Sequence, residues 1–205
     1  MEGLKSIKRD LAKILKVYLI GSIEKCGDER SVGAKWREEL TKKLYKLVDI
    51  NGERIYVFDP IFLEKIKTGK SVKENMVYFD GLKRSGNWDI FVREQGKIWY
   101  GILYEDEKGF PYHIMGDKDY VSHSTFLICY LAEGDRPVGT VREMTWACDM
   151  TKPIFLVTNI NKTELSSSLL GIILDSGGEI FSNFNQLIDF LKKKYHLKEI
   201  EEVKI

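Results

Sequence analysis

The chain has 205 residues, 43% of them hydrophobic and 31% charged, with a formal net charge of +1. That suits a single globular domain with a sizeable core, and a near-neutral balance gives no global field to attract nucleic acid or an anionic membrane. No apolar run approaches the roughly 20 residues a bilayer span needs. The N-terminal MEGLKSIKRDLAKIL also lacks the apolar core of a secretory signal, so a cytoplasmic protein with neither a nucleic-acid nor a membrane partner is expected.

Leu4, Ile7, Leu11 and Ile14/Leu15 space a helical stripe at the start of the chain. KVYLIGS, Lys16 to Ser22, reads as a short buried strand that breaks at Gly21, and the loop IEKCGDERSVG follows. AKWREELTKKLYKLV carries Trp36, Leu40, Leu44 and Leu47 at helical spacing. RIYVFDP is a second strand, stopped by Pro60. Residues from about 65 to 112, rich in Tyr and Trp, interrupt the pattern as an insertion. Within it DIFVRE and KIWYGILYE predict a hairpin around Gln95-Gly96. FLICYL, Phe126 to Leu131, is the third strand, followed by a helix over VGTVREMTWACD; PIFLV is the fourth strand and GEIF the fifth. SNFNQLIDFLKKKYH closes the chain as a helix, capped by Ser182 or Asn183 and ending in lysines.

Strands alternating with helices predict a parallel sheet covered on both faces. Five of them favour an α/β, flavodoxin-like fold of strand order 2-1-3-4-5, here with an inserted β-hairpin. In that order a crevice opens beyond the carboxyl ends of the first and third strands, and ligands bind there. The topology brings Gly21 and Ser22 to the same crevice as the loop AEGDRPVGT and Glu143.

Each polar candidate has two readings. Thr140 and Glu143 match a capping box. Glu143 also opens a helix at the crevice, where Gly139 lets a ligand approach the backbone and the helix dipole favours an ionised carboxylate, the form that attacks an anomeric carbon. Asp117, on a predicted helical turn before the third strand, is a solvated loop acid or a functional one, and Asp119 is locally its equal. Asp135 is a turn residue of Asp-Arg-Pro or a ligand contact. The loop at Ser22 presents backbone N–H groups to a ligand, but no GxGxxG and no GxxxxGK[ST] occurs, which argues against a dinucleotide fold or P-loop. Cys26, Cys129 and Cys148 match no zinc spacing and His113, His123 and His196 are scattered, so neither a metal nor another cofactor is expected.

Five signatures, the first made of two stretches, together resemble the nucleoside 2-deoxyribosyltransferase family, in particular its shorter phage and prokaryotic members. They are VYLIGSIE with GAKWREEL, YVFDP, DKDYVSHSTFLICYL, VGTVREMTWACDMTKPIFLV and GEIFSNFNQLIDFL. The resemblance covers the core of a single domain spanning residues 1–205, outside the insertion. It implies cleavage of the N-glycosidic bond of a 2′-deoxynucleoside, with deoxyribose passed to another base through a glutamyl-glycosyl intermediate. Glu143 aligns with the nucleophile, and Asp117 with an acid that places the substrate or manages the base's proton. Tyr18 and Gly21 align with the strand end that lines the sugar pocket. Gly21-Ser22-Ile23 is similar also to the deoxynucleoside-monophosphate N-glycosidases, in which such a serine binds the 5′-phosphate and water takes the sugar. Lys25, Arg30 or Arg136 converging with Ser22 on a phosphate would favour that alternative, and a non-catalytic nucleotide-binding module is the third. The partner expected is a small-molecule nucleoside or nucleotide, with a second copy of the chain in a homo-oligomer.

Overall fold

The computed structural model describes residues 14–21, 30–135 and 138–200, with side chains of the helix that starts at Arg30 described from Lys35 onward. The N-terminal stripe at Leu4, Ile7 and Leu11, and Ser22, Cys26 and Arg136, lie outside these residues. The chain divides into two compact units: residues up to Phe58 together with those from Ser124, and Asp59–His123 between them.

The first unit is built on strands β1 (Lys16–Gly21), β3 (Tyr56–Phe58), β6 (Phe126–Leu131), β7 (Ile154–Thr158) and β8 (Glu179–Phe181), in the spatial order β3-β1-β6-β7-β8. All four pairings are parallel, so the order is the expected 2-1-3-4-5. The inner strands are nearly continuous apolar runs because helices cover both faces. The pleat sorts their side chains. Val17, Leu19, Phe126, Ile128, Phe155 and Val157 form one core with Trp36, Leu40 and Leu44 of helix α1 (Arg30–Leu44) and Leu187, Ile188 and Leu191 of helix α8 (Phe184–Lys194). Helices α6 (Val138–Asp149) and α7 (Ser167–Asp175) pack against each other and against the sheet, burying Met144, Ala147 and Ile173. Tyr18, Ile20, Leu127 and Cys129 alternate with the first set and are fully buried.

Local signals explain the ends of these elements. Asn183 caps α8, its side chain accepting from Gln186 N at 3.0 Å, and Lys192–Lys194 fill the last turn. The Trp36-Leu40-Leu44 stripe continues to Leu47 in sequence, yet Leu47 lies in a strand, not the helix. The two-residue β2 (Leu47–Val48) pairs antiparallel with β9 (Lys198–Glu199), which buries Leu47.

The second unit comprises α2 (Pro60–Thr68), α3 (Val72–Arg84), α4 (Trp88–Tyr100), β4 (Ile102–Glu105), β5 (Pro111–Ile114) and α5 (Asp117–His123). Asp59 caps α2 by accepting from Ile61 N at 3.0 Å, with Pro60 in the first turn, where a missing N–H costs nothing. Ser71 and Glu74 form a capping box on α3. A hairpin is present, but not around Gln95-Gly96. DIFVRE and KIWY are continuous helix in α4, because Trp88, Phe91, Val92 and Trp99 repeat at helical spacing and Asn87 precedes them. The hairpin turn falls at Asp106–Phe110, where Asp106 Oδ1 accepts from Lys108 N and Phe110 N at 2.9 and 2.8 Å. At the foot of the hairpin Gly101 and Gly116 touch backbone to backbone. A Cβ on Gly101 would lie 2.2 Å from Ile114 O, and one on Gly116 2.2 Å from Gly101 N. This contact fixes the chain just before Asp117.

Candidate functional site

In the first unit the candidates gather around β1 and α6. Tyr18, buried in the middle of β1, sends its hydroxyl toward the α6 side of the sheet, where Tyr18 Oη donates to Glu143 Oε1 at 2.9 Å. Glu143 is 7% exposed. It does not close a capping box with Thr140. The helix starts at Val138, so Thr140 is its third residue and Glu143 its sixth, in the second turn. The dipole contribution expected at the helix mouth therefore falls away, and the tyrosine hydroxyl is one group that meets the carboxylate. A hydrogen bond to an ionised carboxylate contributes about 1.5–3 kcal/mol.

Gly21 ends β1. Arg37 Nη2, on a fully buried guanidinium 4.4 Å from the Trp36 ring centroid, donates to Gly21 O at 3.0 Å. A Cβ on Gly21 would stand 2.8 Å from Tyr130 O and 3.0 Å from Trp36 Cζ2, so no larger residue fits without movement. Asp135 is half-buried, and its Oδ2 accepts from Ala132 N at 2.9 Å, closing the turn after β6. Gly139 is the second residue of α6 and half-buried. Ser22 lies outside the described residues. Cys129 registers the field of this cluster. Burial pushes its thiol well above the usual range, the Glu143 carboxylate adds to the rise, Arg37 opposes it and Asp135 adds a little more. Such a thiol is inert, and its Sγ packs 4.0 Å from Met144 Sδ.

In the second unit the structure separates the two acids that were equal in sequence. Asp119 serves its own turn: its Oδ2 accepts from Gly116 N at 2.8 Å and lies 3.6 Å from His113 Nε2. Asp117, 5% exposed, is ion-paired through Oδ1 with Lys67 Nζ at 2.5 Å. Lys67 is 3% exposed, and its ammonium also reaches Ile98 O at 3.4 Å. One turn before it on α2, Glu64 Oε1 accepts from Asn75 Nδ2 at 2.7 Å, and Asn75 Nδ2 also donates to Thr68 Oγ1 at 2.9 Å. Burial pushes the Glu64 carboxyl up from its ordinary value; Asn75 and Lys67 oppose the rise and Asp117 adds to it. Sequence reasoning missed Lys67, Glu64 and Asn75. The lysine sits in KIKTGK, where it looks like one of three solvated cations, and only the spacing of Leu63 and Lys67 marks the face it shares with buried side chains.

Among the described residues no group of three or more His, Cys, Asp or Glu is placed to hold a metal ion, and no helix is long and apolar enough to cross a membrane. Cys129 and Cys148 are free.

No protein-family model matches the chain, and no curated protein matches it in sequence. Solved structures do match. The 2-deoxyribosyltransferase of the psychrotolerant bacterium Bacillus psychrosaccharolyticus aligns over 91% of this chain and 99% of its own, with a TM-score of 0.50 at 14% identity. The CMP N-glycosidase of Clostridium botulinum aligns over 87% of this chain and 98% of its own, with a TM-score of 0.44 at 15% identity. The strand order, the parallel pairings and the first of these alignments agree, and the chain has a nucleoside 2-deoxyribosyltransferase-like fold.

Proposed function

We propose that the chain cleaves the N-glycosidic bond of 2′-deoxynucleosides and passes the deoxyribose to a second base, with Glu143 as the covalent nucleophile. The observation that carries the reading is the buried Glu143 carboxylate, held through Oε1 by the Tyr18 hydroxyl at 2.9 Å. A carboxylate fixed in this way suits an oxocarbenium-like transition state. It stabilises positive charge developing at C1′ and then bonds to it. In the first step the C1′–N bond breaks, its electron pair leaves with the base, and the base nitrogen takes a proton from solvent water. The glutamyl oxygen closes on C1′ to give a glycosyl ester. In the second step a ring nitrogen of the incoming base attacks C1′ and gives up its own proton to solvent, the ester C1′–O bond breaks, and its electrons return to Glu143. Two moderate barriers replace one high one.

Tyr18 steadies the carboxylate in both steps. Gly21, Ser22, Asp135 and Gly139 are proposed to contact the sugar and its substituents, and Asp117 is the second acid of this reading. Water in place of the second base turns the same chemistry into hydrolysis, as with a deoxynucleoside 5′-monophosphate. The likeness to a 2-deoxyribosyltransferase at 14% identity supports transfer as the first reading. A homo-oligomer belongs to the same proposal.

The test is a panel of deoxynucleosides and their monophosphates, each with and without a second base, followed by chromatography. Release of base that rises when a second base is added, with a new nucleoside formed, is expected. Glu143→Ala should lower the rate by about three orders of magnitude or more while the chain stays folded. Release equal in wild type and Glu143→Ala would remove the nucleophile.

A further inference from the structure

We propose that Lys67 is a positioning residue that fixes Asp117 as a hydrogen-bond-accepting anchor for a donor group of the substrate, a sugar hydroxyl or an exocyclic amine. The inference rests on the reading of Asp117 as a substrate-contacting acid. Its physical basis lies within the Asp59–His123 unit. Lys67 belongs to α2, in the inserted part of the sequence, and its ammonium is held by three groups on two other elements: Asp117 Oδ1 at 2.5 Å, Ile98 O at 3.4 Å and the Tyr120 ring, whose centroid is 5.9 Å away. The end of α2 is itself tied to α3, because Asn75 Nδ2 bonds both Glu64 and Thr68. Asp117 Oδ1 thus meets a cation that is itself held on two other elements.

Stability does not account for this arrangement. Taking both charges out of water costs as much as their attraction returns, and an apolar pair of similar volume does at least as well. A second carboxyl, Glu64, is drawn into the same buried neighbourhood, where burial pushes its carboxyl up. What the pair does supply is geometry. A carboxylate ion-paired with an ammonium is an acceptor and not a proton source, so between the two tasks open to Asp117 the pair favours placing the substrate over protonating the departing base. The consequence falls on substrate capture.

The experiment measures kcat and KM for base release, with thermal unfolding alongside, for wild type, Lys67→Met, Lys67→Arg, Asp117→Asn and the double variant Lys67→Met/Asp117→Asn. Lys67→Met should raise KM about tenfold or more and leave kcat within about threefold, with Lys67→Arg restoring most of the loss. The double variant should match Asp117→Asn within about twofold, since the lysine acts only through the carboxylate. If Lys67→Met does not fold, because it strands a buried carboxylate, the comparison of Asp117→Asn with the double variant decides. Equality supports the proposal, and a further loss of about tenfold overturns it. A folded Lys67→Met with unchanged KM, or with kcat alone reduced, also overturns it. A wild type that releases no base overturns the functional reading and this inference together, whereas an active wild type indifferent to Lys67 overturns the inference alone.

Discussion

Glu143 and Tyr18 are 125 positions apart in the chain, and one hydrogen bond joins them across the sheet–helix boundary. If that bond holds the nucleophile in place, Tyr18→Phe removes the donor and keeps the ring. The expected loss in kcat/KM is about 10- to 100-fold, the equivalent of one hydrogen bond to a charged group, with a lower unfolding midpoint because a buried carboxylate oxygen loses its donor. Steady-state kinetics on the folded variant would measure it; an unchanged kcat/KM would leave the bond a packing detail. Glu64 carries a pH prediction of its own. Its carboxyl is raised in the fold from 4.5, mainly by burial, so its contribution to stability is full below the unfolded value and is lost as pH rises through the folded one. At neutral pH the ionised Glu64 therefore weighs against the fold. Glu64→Gln, which keeps the acceptor for Asn75, should raise the unfolding midpoint at pH 7 and have less effect near pH 4.5. Calorimetry at the two pH values checks this, and a variant less stable at pH 7 than wild type would contradict it. Lys67 was not legible in the sequence because burial of a lysine is a tertiary fact. Nothing in KIKTGK distinguishes the cation that finds Asp117, fifty residues on, from its solvated neighbours.

At the level of elements, the strands were the most legible part. FLICYL became β6, Phe126–Leu131, without adjustment, because a six-residue apolar run bounded by polar residues has few other ways to bury both faces. Trp88–Tyr100 was less legible. Its aromatic and β-branched residues favour strand locally, and only the helical spacing of Trp88, Phe91, Val92 and Trp99 argues otherwise. The start of α6 was also misplaced. Thr140 and Glu143 satisfy the capping pattern, but the helix begins two residues before Thr140, and Glu143 is bonded across to β1 instead. The tip of β1 allows a direct test. Gly21 is enclosed by Tyr130 O and the Trp36 ring, and its carbonyl accepts from the buried Arg37. Gly21→Ala must push one of these aside. A cost of about 1–3 kcal/mol is expected, visible as a lower midpoint in chemical denaturation; an unshifted midpoint would mean the tip yields freely.

At the scale of the whole molecule, the sheet order and its two-sided cover followed from the alternation of strands and helices, whereas the extent of the Asp59–His123 unit did not. That unit presents Phe62, Val77, Trp88, Val92, Leu103 and Phe110 largely to solvent. Large apolar groups of this kind make an association surface where they form one patch, and the proposed homo-oligomer would bury them. Light scattering coupled to size exclusion should give a mass above the 23.8 kDa of one chain, and a monomer with full activity would contradict it. Protein quenched during turnover of a deoxynucleoside, digested and analysed by mass spectrometry should carry a deoxyribosyl ester on the peptide containing Glu143, absent in Glu143→Ala. Active protein that never carries the ester on Glu143, and loses no activity on its replacement, would contradict the account.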